Sequence, residues 1–115
     1  MPRYFKVGRK YDEYRLLKVH QSTNHCEIIL QAHPEYFEDE RWKNAIKTAT
    51  MIAKSLGIVE LQKISEPHYE ETGKMRIVFD ENNFVSEEPE VLVYYVYYFK
   101  RRIRAKRRSK GSGKR

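Results

Sequence analysis

A chain of 115 residues with 40% hydrophobic content, nine Tyr, five Phe and one Trp buries one core of ordinary domain size, which excludes wholesale disorder and a two-domain architecture. The formal net charge of +7 is segregated: residues 100–115 hold ten of the 23 Lys and Arg and no acid, so residues 1–99 set thirteen bases against all 16 acids. A lone Cys26 excludes an internal disulfide, and the longest apolar run, residues 91–99, is about half of what a membrane-crossing helix needs. With no secretory signal at the N-terminus, the expected setting is intracellular and reducing: cytoplasmic, or nuclear in a host with a nucleus, where an import receptor would read the basic string.

In chain order, Tyr4 to Val7 suggest a short strand that Gly8-Arg9-Lys10 interrupts. Residues 13–21 and 26–32 read as a hairpin across Ser22-Thr23-Asn24-His25, because Cys26, Ile28, Leu30 and Ala32 alternate with Glu27, Ile29 and Gln31. The one clear helix spans 38–56, where Trp42, Ala45, Ile46, Ala49, Ala53 and Leu56 recur three and four apart. Glu38, Asp39 and Glu40 suit its positive start and Gly57 its left-handed stop. Lys43, Lys47 and Lys54 lie on its other face, an ordinary solvated surface or a second phosphate-contacting stripe.

Three further strands follow at 58–64, 74–80 and 91–99, separated by Pro67 with Gly73 and by Asn82-Asn83 with Pro89. In the middle one Met75, Ile77 and Phe79 face one way, and Lys74, Arg76 and Val78 the other. The run VLVYYVYYF at 91–99 competes between two forms. Leu92, Val96, Phe99 and Ile103 have helical spacing, but the density of Val, Tyr and Phe favours a strand. The expected fold is α+β: a two-layer sandwich, β-β-α-β-β-β, with one main helix across an antiparallel sheet. Residues 1–99 form the compact domain and 100–115 a basic tail, whose last residues have the composition of a linker.

That tail points to function. Arg predominates in its dense part, and the guanidinium fork matches phosphate oxygens in two-point geometry, so Lys100, Arg101, Arg102, Arg104, Lys106, Arg107, Arg108 and Lys110 are candidate nucleic-acid contacts. Anionic lipid ranks second because only Ile103 offers an apolar anchor. A purely solubilising end is the plainest alternative. Lys74 and Arg76 extend the basic surface. Four Tyr in five positions supply rings on which bases could stack. Alternate residues share a face, so Tyr95 with Tyr97 form one candidate set and Tyr94 with Tyr98 the other.

Catalysis finds little support. His20, His25, His33, His68 and Cys26 have no metal-binding spacing, the acids form no Mg²⁺ cluster, and the glycines form no phosphate loop. No metal, cofactor or enzymatic activity is expected. The reading is a non-catalytic DNA- or RNA-binding accessory protein that contributes to a larger nucleoprotein assembly or meets a protein partner. The rival is a protein-interaction or inhibitor module whose acids at 35–40, 66–71 and 80–90 dock a basic partner.

Overall fold

Val, Tyr and Phe in unbroken succession favour extended backbone, and residues 91–99 are part of the longest strand of the molecule. The computed structural model describes residues 8–79 and 81–102. Its elements are β1 (Lys10–Tyr11), β2 (Tyr14–Gln21), β3 (His25–Ala32), α1 (Trp42–Ser55), β4 (Glu60–Ile64), β5 (His68–Phe79) and β6 (Val85–Lys100), with two 3-10 turns, Pro34–Phe37 and Asp39–Arg41, ahead of the helix. The fold is α+β, with one helix on a six-stranded antiparallel sheet, as the alternation and the helical period indicate. The suggested strand at Tyr4 to Val7 lies outside the described residues, as do Arg104, Lys106, Arg107, Arg108 and Lys110 of the tail.

The sheet runs β1-β2-β3-β6-β4, and β5 also pairs with β6. One edge of β6 takes β3 over residues 93–100, while the other takes β4 near its end and β5 along its first half. Ser65 bridges the step between β4 and β5: its N–H donates to the Val96 carbonyl at 2.9 Å, and its hydroxyl accepts from the Val96 N–H at 2.9 Å.

Two strands are longer than expected. Gly73 and Pro89, which read as breakers, lie inside β5 and β6. Gly73 has φ +82° and sits in an irregularity where the register shifts between Glu71 and Met75. A bulge absorbs a residue that a regular strand would reject. Pro89 lies opposite Met75, where β6 has β5 on one side only, because β3 begins its pairing at Val93. A strand edge tolerates a missing N–H. The result is a two-stranded ribbon, residues 74–79 with 85–89, whose β6 half is exposed throughout.

The helix starts later than the acids suggested. Glu38, Asp39 and Glu40 belong to the 3-10 segment, Asp39 with φ +53°, and the α-helix begins at Trp42. It ends as expected, Gly57 adopting φ +78°. Ala45, Ala49 and Ala53 bring the helix close to the sheet, and with Ile52 they seal a core of Leu16, Ile28, Leu30, Val93, Tyr97 and Phe99. The Tyr14 hydroxyl lies 2.6 Å from the Tyr36 carbonyl and 2.9 Å from that of Arg41, tying the 3-10 turns to β2. No described helix is long and apolar enough to cross a membrane.

Candidate nucleic-acid interface

The side-chain alternation of β6 sorts its aromatic rings. Val93, Tyr95, Tyr97 and Phe99 point to the helix side, and Tyr94, Val96, Tyr98 and Lys100 to the opposite face. Tyr97 is 2% exposed, and burial pushes its phenol well above the ordinary range. Tyr95 packs on Phe37 with ring centroids 4.7 Å apart, and desolvation raises its phenol too. Of the candidate pair, Tyr97 is therefore core and Tyr95 is half-buried against it. The reason is the position of α1, which covers that side of the sheet.

The other face is different in kind. Cross-strand register places Gln31, Ile29, Glu27 and His25 opposite Tyr94, Val96, Tyr98 and Lys100. Beyond them Arg15, Lys18 and His20 lie opposite Gln31, Ile29 and Glu27. Lys63 comes from the other side, opposite Tyr98, with its ammonium 4.9 Å from the ring centroid. His68 stacks on Tyr94 at 4.7 Å with the rings 10° from parallel. Tyr94 and Tyr98 are half-buried, four residues apart on one face, hence about 13 Å apart along the strand. The face is only partly open, since Gln31 and Val96 on it are 5% and 8% exposed.

Its carboxylates are partly committed. Glu70 accepts a hydrogen bond from the amide of the buried Gln31 at 2.8 Å, and Glu60 lies 3.7 Å from the Lys100 ammonium. Arg15, Lys18 and Lys63 then border the two tyrosines, with His20 and His25 beyond.

The start of the tail is held by the body. The Arg101 N–H donates to the Asn24 carbonyl at 2.7 Å, and its guanidinium reaches the carbonyls of Thr23 at 3.1 Å and Gly57 at 3.5 Å. Arg101 thus anchors the exit of the chain, between the β2-β3 turn and the helix end. Arg102 is exposed. Lys100 sits at the end of β6, next to the tyrosine face.

Lys74 and Arg76 are elsewhere. Both lie on β5, and Arg76 donates from Nη1 to Glu35 Oε1 at 3.0 Å and from Nη2 to Glu35 Oε2. That ion pair holds the Glu35 carboxyl below its usual range and leaves Arg76 no fork for phosphate. Lys74 is exposed but separate from the tyrosine face, near Glu90. Glu90 is itself bound by His33 Nε2 at 2.7 Å and the Thr72 hydroxyl at 2.7 Å, which lower its pKa. Glu35, Glu38, Asp39 and Glu88 line an open groove of about 610 Å³ with Arg41 and Arg76, so two of the three acidic segments converge there.

Arg15, Lys18 and Lys63 were not singled out by sequence, and His68 was weighed there only for metal binding and catalysis. Isolated bases on separate strands give no local signal, and only the strand order assembles them. Among the described residues no three His, Cys, Asp or Glu gather as a metal site. Cys26 is buried, its thiol pushed up to about 11 by desolvation. No family model, curated protein or solved structure matches the chain. Any functional reading therefore rests on this geometry and on the charge pattern.

Proposed function

We propose that this is a non-catalytic nucleic-acid-binding protein, in which the open face of the sheet receives bases and the C-terminal basic segment contacts phosphate. The observation that carries the reading is the coincidence, at one end of β6, of Tyr94 and Tyr98 with Arg15, Lys18 and Lys63 and with the point where the basic segment leaves the sheet. Half-buried rings beside a cationic border suit a single strand, because every base offers a π-face and every linkage a charge.

Arginine and lysine neutralising phosphates release condensed counterions, so affinity falls steeply with salt. If six to ten phosphates are engaged, binding should weaken by about three to five orders of magnitude between 50 and 200 mM salt. The test is a salt titration of full-length protein and of a chain ending at Arg102, on single-stranded DNA, duplex DNA and RNA. Ending at Arg102 keeps the Arg101 anchor and removes seven bases. A salt slope unchanged by that truncation overturns the role of the basic segment.

The second reading, a module that docks a basic protein partner, draws on the acidic groove at Glu35, Glu38, Asp39 and Glu88. It requires a stoichiometric complex that survives nuclease, and it predicts that Glu38→Lys weakens that complex and leaves nucleic-acid binding intact.

A further inference from the structure

The β5-β6 ribbon has two unlike faces. Register puts Tyr69, Met75, Ile77 and Phe79 of β5 on the same side as Val93, Pro89, Glu87 and Val85 of β6. On that side Tyr69 is 67% exposed, Met75 58%, Ile77 59%, Phe79 67% and Val85 58%. The opposite side carries Arg76 and Glu88, and through Arg76 with Glu35 it is tied to the body. The polar face is thus the anchored one, and the apolar residues continue the helix side of the sheet, the side of Val93, while keeping more than half of their surface exposed.

Large apolar side chains that expose more than half of their surface along one side of two paired strands are unusual on a monomer. An isolated two-stranded ribbon is marginal in water, and a ribbon gains stability when its apolar face meets another layer. We infer that this stripe is the contact between two copies of the chain, packed face to face across a two-fold axis. Such an isologous arrangement sets each stripe against an identical one, as two sheets pack in a sandwich.

Area favours a second copy as the occupant. Five side chains per copy, each contributing roughly 100 Å², give about 1,000 Å² in all, the lower limit for a specific interface. Pairing along the β5 edge would leave the stripe in water.

The experiment is sedimentation equilibrium of the full-length protein, free of nucleic acid, in about 0.5 M salt, where screening suppresses association through the basic segment. The expected mass at roughly 100 μM is twice the 13.9 kDa of one chain. Ile77→Asp and Phe79→Asp should each sediment as single chains with an unchanged circular dichroism spectrum. Ser86→Asp, on the opposite side of the ribbon, should remain paired. A single-chain mass for the parent protein overturns the inference, as does a dimer that survives both substitutions or one that Ser86→Asp also dissociates.

Discussion

Arg76 and Glu35, 41 residues apart, form a two-point ion pair that fastens the β5-β6 ribbon to the turn leading into the helix. The hydrogen bonds from Arg76 hold the Glu35 carboxyl below its ordinary range. A depressed carboxylate contributes stability that is present above its unfolded pKa and is lost as pH falls through the folded one. Glu90, lowered by His33 and Thr72, acts with the same sign. Thermal stability should therefore decline as pH drops below about 4.5. Arg76→Met should make that decline shallower by removing the Glu35 share, which melts across the acid range will show.

Tyr94 and Tyr98 should behave as a pair in binding, and Tyr97 should not join them. Replacing either ring by Ala is expected to weaken single-stranded nucleic-acid binding by about 1–3 kcal/mol, measured by fluorescence anisotropy. Tyr97→Phe leaves the ring buried and should not change affinity. Equal losses at Tyr97 and Tyr98 would argue against the open face as the receiving surface.

Cys26 offers a chemical probe of the core. Burial raises its thiol to about 11, so little thiolate exists at neutral pH and access is closed. Modification by a disulfide reagent at pH 8 should be slow in the native protein and rapid in denaturant. Rapid reaction in native buffer would place β3 at a frayed edge and not beside Phe99.

Gly57 ends the helix at φ +78°, and a Cβ there would lie 3.4 Å from Arg101 Nη1. Gly57→Ala should cost about 1 kcal/mol through backbone strain, read from the denaturation midpoint. The shift should persist when Arg101 is replaced by Ala, because the conformational term does not depend on the neighbouring guanidinium.

Tyr14→Phe should destabilise the fold by about 1–3 kcal/mol, because the carbonyls of Tyr36 and Arg41 lose the hydroxyl that both approach. Chemical denaturation of the single variant measures this directly.

Much of the architecture was legible from local pattern. The alternation in residues 26–32 and the helical spacing from Trp42 to Ala53 each report a periodicity that the backbone imposes on any half-buried element. Gly57 ended the helix where its conformational freedom allows. Gly73 and Pro89 misled, because a breaker inside a strand is admissible when a bulge or an open edge removes the conflict, and neither is visible locally.

The sequence by itself determined the element types, the α+β class and the separation of a basic C-terminal segment from a mildly acidic body, because backbone period and charge are properties of neighbouring residues. Only the tertiary structure decided which side of the sheet the helix covers, and with it that Tyr97 is core. A period of two says that Tyr95 and Tyr97 share a side and Tyr94 and Tyr98 the other, but the side that receives the helix depends on Ala45, Ala49 and Ala53 settling against it. The partnership of Arg76 with Glu35 and the gathering of Arg15, Lys18 and Lys63 around Tyr94 and Tyr98 were decided in the same way, by strand order, a long-range packing outcome that no local window contains.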